Sequence, residues 1–299
     1  MSVANIQTQL TRANRGYRAA FYEQLESTRA RWDPIVNAVT MQVASTGSSE
    51  EYNFTDGVPR MAQFKGERNV SRLGVQGFTL TNVEYDNGIE IRRKDLMDDK
   101  LGLYMPRIRQ LAEMGYLLKL QLIRDLINGG FTSNGYDGTV FFGNSHPLAD
   151  SSSVNDNLTT GALAEGTFEA ALLLLAQMKD SYGEEMGLMA THLLYGSDNI
   201  VNAKTLLGQR TLATGEENRW FGAVTPVQIP GLTAGYWVLA DLSKPLKPFV
   251  LQEREALSFT SVESADHPDV YNRKVFNYGA DWRGAAGYAF HELMVGSTG

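Results

Sequence analysis

The 299-residue sequence contains no cysteine. Disulfides, thiolate metal centres and cysteine nucleophiles are therefore excluded, and the absence fits a reducing compartment. Long apolar runs are missing as well. The longest, Ala170–Ala176, falls far short of the roughly 20 residues a membrane-spanning helix needs, so no membrane association is expected. The N-terminal stretch is polar and has no apolar segment of the kind a secretory signal carries. The Asn-x-Ser/Thr matches at Asn53, Asn69 and Asn157 accordingly read as chance. Positive charge is in deficit, with 27 Lys and Arg against 34 Asp and Glu and a net charge of −7. That argues against a surface built throughout to grip nucleic acid. Proline is scarce at 9 residues while glycine reaches 29, which favours tight turns over stiff linkers. Catalytic grammar is absent too: the sequence holds no HExxH, GxSxG, P-loop or GxGxxG pattern.

What is present is ample core material, 43% hydrophobic residues, arranged in extended features. Ile6, Leu10, Ala13, Tyr17, Phe21 and Leu25 recur at spacings of three and four and predict a helix to about residue 31. Five arginines against Glu23 and Glu26 give that segment a net charge of +3. It reads either as a solvated helix on its own subunit or as an arm that docks on a neighbouring chain through Ile6, Leu10, Tyr17, Phe21 and Leu25. Residues 44–60 are small and polar and read as an extended connector. From Met61 to Lys94 strand signals dominate: Phe78 and Leu80, then Val83, Tyr85, Ile89 and Ile91 at period two. With the charged stretch from Phe64 to Asn69 they suggest a two-stranded ribbon with a charged tip, which is marginal unless it lies on something. Asn87-Gly88 signals either a hairpin turn or a bulge in one long strand.

Residues 101–128 carry the clearest pattern, with Tyr104, Ile108, Leu111, Gly115, Leu118, Leu122 and Leu126 at helical spacing and Asn128-Gly129-Gly130 as the stop. Leu117, Leu120, Ile123 and Ile127 widen the apolar face, so the second half is expected to be more deeply buried. A second, buried helix is expected over residues 166–180 around Leu172–Leu175, and a third from Ser197 or Asp198 to about Leu212. A short strand is expected at His192–Tyr195. The last third breaks into strand-like runs at 224–229, 236–240, 248–251, 257–262, 270–278 and 285–293. The class is α+β.

Chemistry-bearing groups are dispersed. His146, His192, His267 and His291 show no local ligand pairing, so each reads as a surface or structural residue, and no metal or cofactor is expected. Asp98-Asp99 is the best carboxylate pair. Its place before the long helix favours a macrodipole role over metal binding.

Several segments, taken in order, resemble one family. They are Phe64-Lys65-Gly66-Glu67-Arg68, Phe78-Thr79-Leu80-Thr81-Asn82 and the run from Asp98-Asp99-Lys100-Leu101 to Arg107-Ile108. Tyr136-Asp137-Gly138, Phe141-Phe142, His146-Pro147, Thr191-His192-Leu193-Leu194, the run from Lys244 to Phe249, and Tyr278–Arg283 complete the set. Together, over roughly residues 60–290, the sequence is similar to the Mu-like prophage major head subunit, the T protein.

The resemblance implies a major capsid protein with the Hong Kong 97 phage capsid fold: N-terminal arm, extended β-ribbon loop, long spine helix, and peripheral and axial domains. On that pattern residues 1–45 are the arm, 46–99 the extended loop and flanking strands, and 100–129 the spine. Residues 130–240 are mainly axial domain, and 241–299 are strands returning to the peripheral domain. It also implies self-assembly into hexamers and pentamers of an icosahedral shell around double-stranded DNA, held without sequence-specific contacts. Scaffold, portal and decoration proteins are the implied partners, and the virion, after assembly in the host cytoplasm, is the implied location. No enzymatic activity is implied. The covalent Lys–Asn cross-link of the fold's founding member is not expected, because Lys65 has no recognisable acidic catalyst or acceptor.

Charge suggests how neighbours meet. Arg60, Lys65, Arg68 and Arg72 against Glu67 make residues 60–74 net +3. Glu84, Asp86, Glu90, Asp95, Asp98 and Asp99 against Arg92, Arg93 and Lys94 make residues 84–99 net −3. The ribbon tip of one subunit, Phe64 included, is expected over Glu84, Glu90, Asp98 and Asp99 of another, a contact that sets register. Alternatives are an encapsulin-like cargo shell, a hydrolase with an unrecognised carboxylate pair, and a carbohydrate-binding tail or fibre protein.

Overall fold

A computed structural model describes residues 3–55, 75–98, 102–148, 153–211, 215–262, 264 and 267–299. Helix α1 (Val3–Val39) runs past the expected stop near residue 31, through Pro34. A proline inside a helix costs about 3 kcal/mol. Burial of Ile35, Val36 and Val39 beyond it offsets that cost. Strand β1 (Thr40–Ala44) continues directly from it. The expected connector then becomes strand β2 (Ser49–Thr55), antiparallel to β3 (Val75–Thr81) in a separate two-stranded ribbon.

Strand β4 (Val83–Arg92) passes straight through Asn87-Gly88. Gly88 lies opposite Gly279, and a Cβ on Gly88 would sit 3.2 Å from the Tyr278 carbonyl. The glycine therefore serves close strand approach, and no hairpin forms. A short helix α2 (Arg93–Asp98) precedes α3 (Tyr104–Gly129), which at 26 residues is about 39 Å long. The buried seam of α3 is Ile108, Leu111, Ala112, Tyr116, Leu120, Ile123 and Ile127. In the second half Leu120, Ile123 and Ile127 are buried as expected, while Leu117, Leu118, Leu122 and Leu126 are only half-buried. Gly115 is where β11 (Phe249–Val262) comes near: a Cβ there would lie 2.9 Å from Leu257.

The main sheet has the order β1-β11-β12-β4, with β12 spanning Val275–Tyr288. β1 is parallel to β11, and the remaining pairs are antiparallel. Runs 248–251 and 257–262 are one strand, because register shifts between Glu253 and Ser258 interrupt its period of two. Helices α1 and α3 pack together and against this sheet. Lys119 Nζ on α3 meets Glu253 on β11 at 2.7 Å.

Between α3 and the second sheet lie two minimal strands, β5 (His146–Pro147) and β6 (Val154–Asn155), paired antiparallel. The second sheet combines β7 (Leu158–Thr159), β8 (His192–Tyr195), β9 (Thr225–Gln228), β10 (Trp237–Ala240) and β13 (Met294–Ser297) in the order β7-β13-β10-β8-β9. The C-terminal strand therefore does not return to the main sheet with the rest of 241–299: β13 pairs with β10 and β7. Helices α4 (Glu165–Ala176) and α5 (Ile200–Gly208) accompany this sheet. On α4 the buried residues are Phe168, Ala171 and Leu175, while Leu173 is 57% exposed, so the leucine run is not buried all round. α5 stops well before Leu212.

Alternation divides the second sheet between two cores. Trp237, Leu239, Leu193 and Val295 belong to the cluster under α4 and α5. Val238, Ala240, Leu194 and Met294 belong to the main core shared with α1, α3 and the long strands. Both faces are apolar, which is why these strands read as continuous hydrophobic runs. Among the described residues no helix is long and apolar enough to cross a membrane.

Candidate assembly surface and a buried histidine cluster

The arm residues separate into two groups. Tyr17, Phe21 and Leu25 are buried inside this chain: Tyr17 meets Tyr278 edge-on at 5.3 Å, and Phe21 lies 5.1 Å from Phe259. This corrects the expectation that they dock on a neighbour, since β11 and β12 already cover them. Ile6 and Leu10 lie in the first turns of α1, where the structure describes the backbone but not the side chains. Arg15 and Arg18 face outward.

The ribbon is tied at its root. Tyr52 stacks on Phe78 with ring centroids 5.4 Å apart, and its hydroxyl donates to Gln252 Oε1 at 2.8 Å. Gln252, fully buried on β11, donates through Nε2 to Asn82 Oδ1 at 2.7 Å, and Asn82 Nδ2 donates to Ser45 Oγ at 2.8 Å. Glu50 accepts the Thr46 and Gly47 N–H groups and the Ser45 hydroxyl, which hold its carboxyl below the usual range. Phe78 and Leu80 lie against β12 near Gly287. The tip residues Arg60, Phe64, Lys65, Glu67, Arg68 and Arg72 lie outside the described residues, as do Asp99 and the side chain of Asp98.

The two described acids already have partners in their own chain. Glu84 lies 3.6 Å from Arg283, and Glu90 lies 2.6 Å from Arg273. Glu84 stays 79% exposed at its side chain. Strand register changes the local charge picture. Pairing of Val275 with Arg92 brings Arg273 and Lys274 beside Arg92, Arg93 and Lys94 in one shallow cleft around Glu90. The end of β4 is therefore basic, although the linear window 84–99 is acidic.

Two of the four histidines converge, with acids that sequence spacing could not connect to them. His146 and His291 stack with ring centroids 3.6 Å apart and an interplanar angle of 13°. Asp137 Oδ2 lies 2.6 Å from His146 Nδ1. Asn157 Oδ1 lies 3.2 Å from His146 Nε2 and accepts the Gly143 N–H at 2.8 Å. Asn157 Nδ2 donates to the carbonyls of Phe141 and His291 at 2.9 and 3.1 Å. Burial opposes charge on Asp137, but the hydrogen bond with His146 and the two nearby imidazoles prevail and keep its carboxyl below the usual range. Burial lowers the pKa of His291, with smaller opposing effects of Glu292 and Asp137. His192 is half-buried and contacts Thr191 Oγ1, and His267 lies 3.8 Å from Asp269, both away from this cluster.

Comparison with known proteins gives consistent matches. The family model for the Mu-like prophage major head subunit gpT matches residues 10–162, 157–232 and 228–299. The Mu-like prophage FluMu major head subunit of Haemophilus influenzae is 25% identical over 279 residues, covering 93% of this chain and 69% of that protein. The major capsid protein of Escherichia phage Mu is 24% identical over 263 residues, covering 88% of this chain and 66% of that protein. The chain thus spans about two thirds of the length of these curated relatives. In structure it is similar to a chain in the procapsid of bacteriophage JBD30, with a TM-score of 0.62 and 20% identity over 100% of this chain and 76% of that one. A chain from Microbacterium phage Oxtober96 gives a TM-score of 0.56 at 12% identity, over 88% and 90%. The fold is that of phage capsid proteins.

Proposed function

Since this chain belongs to the Mu-like prophage major head subunit gpT family, we propose that its ribbon and the first turns of α1 are the parts by which copies hold one another in a closed shell. It is a major capsid protein of the Mu-like type, a structural subunit and not an enzyme. The family match selects this reading over a cargo shell, a hydrolase or a fibre.

The finer assignment is the Hong Kong 97 capsid fold. In that scheme α1 is the arm, β2 and β3 carry the extended loop, and α3 is the spine. The sheet around β11 and β12 is the peripheral domain, and the sheet around β10 is the axial domain. Hexamers and pentamers of this subunit close around double-stranded DNA, with scaffold, portal and decoration proteins as partners during assembly in the host cytoplasm. Heterologous contacts whose rotation closes give such rings, and many modest contacts per copy give avidity.

One observation carries the proposal: β2 and β3 form a two-stranded sheet of their own, anchored at one end by Gln252 and leading into a segment of net charge +3. An isolated two-stranded ribbon is marginal in water, so a partner surface beyond the root completes it. The acids available on a neighbour are the exposed Glu84, with Asp98 and Asp99. Glu90 contributes less, because Arg273 already neutralises it.

The test is assembly of the Lys65→Glu/Arg68→Glu double variant, followed by sedimentation and electron microscopy. The expected result is a folded subunit that forms few or no particles, the defect deepening as salt is lowered and like charges repel further. Normal particle yield at ordinary salt contradicts the tip contact.

A further inference from the structure

We propose that Asp137, His146 and His291, with Glu292 beside them, form a buried three-ligand binding site for one divalent cation of the zinc class. One ligating atom from each of Asp137, His146 and His291 lies within 4.8 Å of the other two. The two histidines are buried, and the Asp137 side chain is 6% exposed.

Three buried atoms here have no hydrogen-bond partner among the described residues: Nδ1 and Nε2 of His291, and Oε2 of Glu292. Buried polar atoms are rarely left unpaired, and a cluster of them points to a missing ion or water. Glu292 Oε2 lies 3.8 Å from His291 Nδ1. The other Glu292 oxygen accepts the Tyr136 hydroxyl at 3.0 Å, which holds the carboxylate beside His291.

Asn157 fixes which nitrogen of His146 can bind. Its amide nitrogen donates to two carbonyls, so its orientation is set and Oδ1 must accept. His146 Nε2 therefore carries a hydrogen and donates to Oδ1, and its other ring nitrogen, Nδ1, is the one turned to Asp137. A ring N–H held by an oxygen acceptor, with the opposite nitrogen facing the ion, is the usual outer-shell arrangement of metal-bound histidine.

In the structure Asp137 Oδ2 and His146 Nδ1 are hydrogen-bonded at 2.6 Å. Two ligands on a tetrahedral zinc stand about 3.3 Å apart, given metal–ligand distances near 2.0–2.1 Å. Binding thus takes the place of the hydrogen in that bond, releases it as a proton to solvent, and opens the pair by roughly 0.7 Å. The two rings stack with centroids 3.6 Å apart and nearly parallel planes, so binding also turns His291 out of the stack until its nitrogen points at the ion. The Asp137 ligand and the neighbouring Glu292 carboxylate together balance a divalent charge. Imidazole with carboxylate and no thiolate suits zinc or cobalt better than magnesium or calcium. The ion would join the segment after α3 to the turn between β12 and β13, and so link the two sheets.

The experiment uses the full chain, stripped with chelator, dialysed, then titrated with zinc sulfate and separately with cobalt chloride. The expected result is one zinc retained per chain by mass spectrometry of the metal, and visible absorption from a low-coordinate nitrogen–oxygen cobalt site. His291→Gln and Asp137→Asn are each expected to weaken retention at least about tenfold, while His192→Gln, outside the cluster, retains it. Failure of the wild-type chain to retain zinc, or a cobalt spectrum that stays that of the aqueous ion, overturns the proposal. So does unchanged retention by folded His291→Gln. Should that variant not fold, the wild-type cobalt spectrum alone decides.

Discussion

Strand β10 is buried along its whole length, whereas β4, at the edge of the other sheet, is mostly exposed or half-buried. The five-stranded sheet ends in short strands, β7 of two residues and β9 of four. The four-stranded sheet ends in the ten-residue β4, whose outer edge pairs with no described strand, and the ribbon strand β3 leads directly into it. A long unpaired edge and a lone ribbon invite another chain, while short edges discourage one. On the assembly proposed above, one half of the molecule is finished by its own residues and the other by neighbours.

The sharpest way to break this comparison is to remove core from each half. Trp237→Ala empties the cluster under α4 and α5, and Phe21→Ala empties the contact of α1 with β11; both side chains are fully buried. Each is expected to cost about 3–5 kcal/mol. Because Val238 and Leu194 face the main core from the second sheet, calorimetry is expected to show one common transition, lowered by either change. A separate early transition in Trp237→Ala would show that the second sheet melts alone.

A smaller effect sits where α3 meets the main sheet. Burial works against charge on Glu253, yet the Lys119 ammonium and the Trp282 N–H, both hydrogen-bonded to it, hold its carboxyl below the usual 4.5. As pH falls the unfolded chain takes up this proton first. The stabilisation is therefore complete above about 4.5 and is lost as pH drops through the lower folded value. Lys119→Met is expected to cost about 1–2 kcal/mol at neutral pH, less than a fully buried pair because Glu253 is about a third exposed. Melting curves across the acid range check this, with Glu253→Gln expected to be flatter than wild type.

Much of this architecture is legible in the sequence where one element answers to one period. Tyr17, Phe21 and Leu25 announce a helix, and Phe78 and Leu80 announce a strand. What these patterns do not carry is the partner. The stripe on α1 is equally apolar whether β11 or a neighbouring chain covers it. The seam of α3 takes in Ala112 and Tyr116, outside the expected stripe, where β11 approaches at Gly115. Run 285–293 hides both the end of β12 and the turn that sends β13 to the second sheet. The basic cleft exists only because register sets Arg273 and Lys274 beside Arg92. His146 and His291 meet through tertiary folding alone, so spacing gives no hint of them. Asp137, inside a Tyr-Asp-Gly turn signal, reads as turn chemistry.

Hydrogen exchange of unassembled subunits against assembled particles tests the contrast between the halves most directly. The account predicts that protection rises most over Ser49–Thr55, Val75–Thr81, β4 and the first turns of α1, and least over β8, β10 and β13. Equal gains in both sheets, or no gain over the ribbon strands, would contradict it.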